Sequence, residues 1–255
     1  MRPAAAFLVA VSVLAACATE TSRPSRIEPS GPPRVRPEVV ERHAIQLDDE
    51  IGARPAGSQE ELLASTYVLG HLQSAGYLTR LDPVPVRNLV RSTNVIGLPP
   101  DGGLPEAVVV VAYDTPPDVA SDGEAVGAFL EVARALRARV PQHSVEFVGL
   151  GAERSRPTEG RLGSRRLARE LLDEHIEPIV VTIVQIRGSG SLAASGEASR
   201  DLLSGARAAG LDVDARWEPP DVDVFARAGL EHAWVSGGVE SVGRALLDYL
   251  VAVGG

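Results

Sequence analysis

The sequence predicts an α/β sandwich built on a mostly parallel sheet. Two observations carry this. Four short runs, Asn94 to Leu98, Ala107 to Tyr113, Val145 to Leu150 and Ile179 to Ile186, are β-branched and apolar on both faces, as strands covered on two sides must be. Stretches of helical period separate them, clearest at Ala125 to Arg139 and Ser164 to Leu172, and strands alternating with helices of that length give parallel pairing.

Taken from the start, Arg2 is followed by an apolar run from Ala4 to Leu14 and then by Leu14-Ala15-Ala16-Cys17. Such an order of positive, apolar and small residues marks residues 1–16 as a signal peptide. The run is far short of the roughly 20 apolar residues that span a bilayer, and no later segment reaches that length, which excludes a polytopic membrane protein. Leu-Ala-Ala-Cys resembles the lipobox of bacterial lipoproteins, in which the Cys is acylated and becomes the first mature residue. The alternative is an ordinary Ala16-Cys17-Ala18 cleavage site and simple secretion. Under the lipobox reading Cys17, the one cysteine of the chain, is a membrane anchor, and no disulfide supports the fold. The implied place is the bacterial cell envelope. Ala18 stands where an Asp often retains lipoproteins in the inner membrane, so the outer membrane, facing the periplasm, is expected in a cell with two.

Residues 17–37 carry Pro24, Pro29, Pro32, Pro33 and Pro37 among Ser, Thr and Arg, which prevents a continuous helix and reads as a tether. From Glu38 apolar residues recur at helical spacing (Val39, Val40, Ile45, Leu47), and a second amphipathic stretch runs from Glu60 to Ala75 before Gly76. One folded domain, 38–255, is expected. The 255 residues carry a net charge of −9 with both signs interspersed and no basic stripe, so nucleic acid is not an expected partner.

The order of segments resembles the zinc exopeptidase family that includes secreted bacterial aminopeptidases, plasma glutamate carboxypeptidase and glutaminyl cyclases. The likeness runs from about Glu41 to Leu250. It rests on Arg54-Pro55-Ala56-Gly57-Ser58 with the following helix and Gly76-Tyr77, on Asn94-Val95-Ile96-Gly97, on Leu130-Glu131-Val132-Ala133-Arg134-Ala135-Leu136, and on Gly160-Arg161-Leu162-Gly163-Ser164-Arg165. It implies a three-layer sandwich with a mixed, mostly parallel central sheet and helices on both faces. Working members hold two zinc ions with two His, two Asp and a Glu, and a further Glu is the general base.

Residue by residue, that ligand set is mostly missing. Ala112 stands where the first His would be, while Asp114, which would orient it, remains. The bridging Asp falls on Ser121 by an ungapped count, or on Asp122 if one residue is deleted. Glu153 matches the general base, but Arg154 replaces the Glu ligand beside it, and a guanidinium donates no lone pair to a metal. Gln185 stands for the second Asp and Val222 for the last His, with Ala228-Gly229-Leu230 fixing that register. Zinc needs three or four donors converging at about 2 Å. No metal and no cofactor are therefore expected at this vestigial site, and no confident catalytic residue. Glu153, Asp114, Asp122 and Asp221 are read as counter-charges for Arg154 and Arg187.

Other chemistry is weakly signalled. Of His43, His71, His143, His175 and His232, none makes a His-x-x-x-His pair; His232 reads as a satisfied structural histidine and His71 as a partly solvated face residue. Ser121-Asp122-Gly123 and Gly188-Ser189-Gly190-Ser191 lack the Gly-x-Ser-x-Gly elbow, and the latter reads as a turn ending a strand. The expected function is that of a non-catalytic, aminopeptidase-like envelope lipoprotein binding a peptide, protein or cell-wall component. The alternative is a zinc aminopeptidase or other hydrolase with a divergent site.

Overall fold

A computed structural model describes residues 32–87, 90–119, 122–154, 160–186, 189–214 and 223–255. The signal peptide, Cys17, most of the tether, Ser121, Arg187, Gly188, Asp221 and Val222 lie outside the described residues.

The chain enters through α1 (Pro37–Ile45), a π-helical turn (Gln46–Ile51) and α2 (Gln59–Ser74). Pro37 sits in the first turn of α1, where its missing N–H costs nothing. Ser58 caps α2 by accepting from the Glu61 N–H at 3.0 Å, while the Glu61 carboxylate turns back to the Gly57 N–H. Then follow β1 (Thr79–Pro85), β2 (Arg91–Gly97), β3 (Ala107–Ala112), α3 (Gly123–Arg139), β4 (Val145–Leu150), α4 (Leu162–Asp173) and β5 (Ile179–Ile186). The last part holds β6 (Leu192–Ser195), α5 (Ser199–Ala208), β7 (Val213–Asp214), α6 (Val224–Arg227), β8 (His232–Gly237) and α7 (Val239–Gly254). No helix among the described residues is long and apolar enough to cross a membrane.

One eight-stranded sheet runs in the order β1-β2-β4-β3-β5-β8-β6-β7. Its centre, β4-β3-β5-β8, is parallel, and β2 and β6 join it antiparallel. The central strands are the four apolar runs less β2 and with β8 added; β3 and β4 are buried at every position, which is why they carry no alternation. β1, with Pro83 and Pro85, forms the outer edge, where missing N–H donors are tolerated.

The alternate side chains of each strand feed two layers. Val109, Val111 and Phe147 meet α1, α2, α3, α5 and α7 on one face. Val108, Val110, Val148 and Val180 meet α4 and α6 on the other. The architecture is thus the three-layer α/β sandwich with a mixed sheet. Phe147 sits edge-on to Phe129 and Tyr77, with ring centroids 5.5 and 5.4 Å apart, contacts worth about 1 kcal/mol each beyond their buried area.

Packing reaches further back than the apolar periodicity suggests, to Pro32. Arg134 of α3, buried, donates to the carbonyls of Pro32 (3.0 Å) and Arg34 (2.7 Å). Glu131, one turn earlier, accepts from Arg134 and from the backbone and guanidinium of Arg36 at 2.7–3.1 Å. Burial raises the Glu131 carboxyl's affinity for protons, but the two guanidinium groups outweigh it and leave the pKa below the ordinary value. Residues 32–36 are therefore strapped across the helix at the middle of the thicker layer.

Candidate functional site

In a sheet of this kind the parallel strands β3, β4 and β5 deliver their carboxyl ends side by side, at Ala112, Leu150 and Ile186. Of the positions drawn from the resemblance, Ala112, Asp114, Asp122, Glu153, Arg154 and Gln185 are described and lie at or just beyond these ends. Past Leu150 the chain turns through Gly151, Ala152, Glu153 and Arg154. A Cβ at Gly151 would lie 2.3 Å from the Ser92 hydroxyl and 2.5 Å from the Thr93 carbonyl, so only glycine passes. Ala152 has φ 50°, a left-handed conformation that costs a non-glycine residue about 1 kcal/mol or more. Three bonds hold it: the Ala152 N–H donates to Glu61 at 3.1 Å, the Glu153 N–H to Asp114 at 3.0 Å, and the Arg154 N–H to Asp114 at 2.9 Å.

Asp114, fully buried, accepts from the backbone N–H groups of Glu153 and Arg154. This corrects its expected pairing with the Arg154 guanidinium, which goes to Asp122 instead. Glu153 departs from expectation too. Its carboxylate accepts from the Ser164 N–H (2.9 Å), the Ser164 hydroxyl and Arg161 (3.1 Å), not from Arg154. Burial raises its pKa, against the lowering pull of Ser164 and Arg161. The Gly-x-x-Gly-Ser-Arg segment thus has a physical use: Gly163 lets α4 approach so closely that a Cβ there would sit 2.5 Å from the Gly151 carbonyl, and the next residue, Ser164, clamps Glu153.

Arg154 pairs with Asp122, as expected, Nη2 to Oδ2 at 3.0 Å, with side chains 20% and 12% exposed. Burial raises the Asp122 pKa and Arg154 opposes the rise. Of the two candidates for the bridging position, Asp122 faces this site; Ser121 is outside the described residues. Gln185 is exposed at the end of β5, after an irregularity in its pairing with β8.

Arg54 was not read from the sequence as part of this site. Only 1% exposed, it donates to the carbonyls of Leu47, Gly52 and Tyr113 and to the Thr115 hydroxyl, and lies 3.6 Å from Asp48. It ties the π-helical turn to the end of β3, a role that its place in the Arg54-Pro55-Ala56-Gly57-Ser58 segment did not disclose. Burial lowers its pKa, with Asp48 opposing.

His232 is satisfied, as expected: Nε2 lies 3.0 Å from the Thr182 hydroxyl and Nδ1 2.6 Å from Asp223. Asp223 also accepts from the Trp234 indole (3.0 Å) and caps α6 through the Ala226 N–H (2.8 Å). Burial pushes its carboxyl up, but the bonds from His232, Ala226 and Trp234 win and hold it at about 2. Arg161 stands over the Trp234 ring at 5.7 Å, which joins this group to Glu153. His71 is half-buried between Tyr67 and His43, at ring distances of 4.4 and 4.7 Å, a pairing no sequence spacing announced.

The donors at the strand ends do not fit a dizinc centre. Ala112 offers a methyl group, Arg154 a cation that already occupies Asp122, and the lone pairs of Asp114 and Glu153 are turned to backbone N–H groups, Ser164 and Arg161. Among the described residues no three His, Cys, Asp or Glu side chains are grouped as metal ligands.

Neither family models nor curated proteins give a match to this sequence. Solved structures do. The chain is similar to a Porphyromonas gingivalis glutaminyl cyclase, at 15% identity and TM-score 0.70 over 86% of this chain and 98% of that one. A leucine aminopeptidase precursor from Bacteroides thetaiotaomicron gives 16% and 0.70 over the same shares. The zinc aminopeptidase of Bacillus subtilis gives 14% and 0.62, over 82% and 86%. At these identities the likeness speaks for fold alone, and it is the fold shared by glutaminyl cyclases and zinc-dependent exopeptidases and aminopeptidases that this chain adopts.

Proposed function

We propose that this chain is a non-catalytic, aminopeptidase-like lipoprotein of the bacterial envelope, which binds a peptide, protein or cell-wall component without cleaving it. The observation that carries the reading is the Arg154–Asp122 ion pair at the ends of β4 and α3, where the resemblance would place metal. A guanidinium is permanently protonated and brings its own counter-charge requirement, so the pair substitutes for a cation and offers it no ligand. Without bound zinc, a water beside Glu153 keeps a pKa near 15.7 instead of about 7, and a carboxylate alone activates it poorly.

Envelope anchoring through acylated Cys17 is part of the same proposal and rests on Leu14-Ala15-Ala16-Cys17 and the proline-rich residues after it. The test is metal analysis after refolding with excess zinc, run beside release of leucine from a leucyl reporter and cyclisation of a glutaminyl peptide. Zinc far below one per chain and no turnover are expected. About one tightly held zinc per chain, or turnover abolished both by a chelator and by Glu153→Ala, would overturn the reading.

A further inference from the structure

On the sheet face opposite the strap, α4 and α6 enclose a groove of about 400 Å³. One stripe of α4 lines it, spaced three and four residues apart: Arg165, Ala168, Arg169 and Leu172, met from the other side by Arg227 and Ala228. The floor is apolar, and Leu172 leaves 47% of its surface in water. The rim is cationic. Among the described residues no carboxylate forms an ion pair with Arg165, Arg169 or Arg227, whereas Arg80 and Arg166 nearby on the same face are paired with Glu170 and Asp82. Asp173 is the one acid among the described lining residues.

This concentration of charge runs against the chain's net −9. Three exposed cations around an exposed leucine form a surface whose repulsion an anionic partner would relieve, and whose apolar floor such a partner would dry. Among the described residues no aromatic side chain lines the groove, so none of them offers a nucleobase a face to stack on. The flanking helices offer a short open trough suited to one or two aliphatic side chains between exposed guanidinium forks, each able to take a carboxylate by two parallel bonds.

We infer that the α4–α6 groove is a docking surface for an acidic peptide segment, seating an aliphatic side chain on Ala168, Leu172 and Ala228 with carboxylates at Arg165, Arg169 and Arg227. This surface lies outside the strand-end site and does not depend on what that site binds.

The test is fluorescence anisotropy of a labelled Glu-Glu-Leu repeat peptide titrated with the full chain, beside the same peptide with Gln for Glu and with phosphatidylglycerol vesicles as competitor. The acidic peptide should bind in a salt-sensitive manner and the Gln peptide at least about tenfold more weakly. Arg165→Glu with Arg169→Glu should weaken the acidic peptide by about tenfold or more at an unchanged melting temperature, since both side chains are exposed, and Leu172→Ser should weaken both peptides. Equal binding of the two peptides, or charge-reversed protein that binds as the parent does, would overturn the inference. Vesicles that bind the chain through these arginines and displace the peptide would also overturn it, in favour of an anionic lipid surface.

Discussion

Arg154→Glu restores an acidic pair beside Glu153 without restoring the other ligands, and so sets a carboxylate against Asp122. At the observed 3.0 Å, and an effective dielectric constant of about 20, the parent attraction is about 5 kcal/mol before desolvation is subtracted. Breaking a fully buried pair costs about 3–5 kcal/mol; with 20% and 12% of the two side chains in water, about 2 kcal/mol is the appropriate loss. Reversing the charge adds about 1 kcal/mol of repulsion, for a total near 3 kcal/mol. In a domain of this size that lowers the melting temperature by about 6–12 °C.

The loss should depend on pH. Asp122 already titrates above its ordinary 3.8, and a neighbouring Glu would raise it again, so the destabilisation should be smaller at pH 5 than at pH 8. Thermal melts followed by circular dichroism at both pH values measure this. Replacing both partners, Arg154→Met with Asp122→Asn, should recover most of the loss, because no charge is left alone. A variant Arg154→Glu melting within about 1 °C of the parent at pH 8 would mean that the guanidinium is merely solvated and that the cation-for-metal argument fails.

Burial, reinforced by Glu170 and Glu174 and opposed by Arg80, lifts the Glu146 carboxyl from 4.5 to about 7. A raised carboxylate retains its proton in the fold, so the parent should lose stability as pH rises from 4.5 through 7, by at most about 3 kcal/mol, and Glu146→Gln should flatten that slope in denaturant titrations. Gly163→Ala would gain up to about 1 kcal/mol of helix propensity, but its Cβ meets the Gly151 carbonyl at 2.5 Å, and a net loss of about 1–3 kcal/mol is expected in chemical unfolding. Cys17→Ser should move the protein out of the membrane fraction or leave an uncleaved precursor; a fully processed variant that fractionates like the parent would remove the lipid anchor from the proposal.

The four apolar runs were legible because β3, β4 and β5 are covered on both sides and β2 nearly so, which makes hydrophobicity continuous rather than periodic. β1 was hidden by Pro83 and Pro85, and β6 and β7 by their four and two residues. At the site, resemblance located Ala112, Asp114, Asp122, Glu153 and Arg154 together, and the Arg154–Asp122 pair followed from that placement and their opposite charges. What could not be read was where each remaining carboxylate turns. Asp114 serves backbone N–H groups, and Glu153 serves Ser164 and Arg161, because the left-handed Ala152 aims them there. Arg54 and Glu61 act mainly on main-chain atoms, which every sequence has, so nothing in their spacing discloses these roles, even though Arg54 opens one of the matched segments.

The strap over α3 has a mechanical meaning. A pull applied to the chain ahead of Pro32 meets Arg134 and Glu131, and so is delivered to a helix whose residues 125–137 are all buried, before it reaches α1. Several charge-assisted bonds must be broken for the strap to come away. The entry point of the domain is thus braced on α3 by bonds separate from those through Asp114 and Glu61 that hold the strand-end turn.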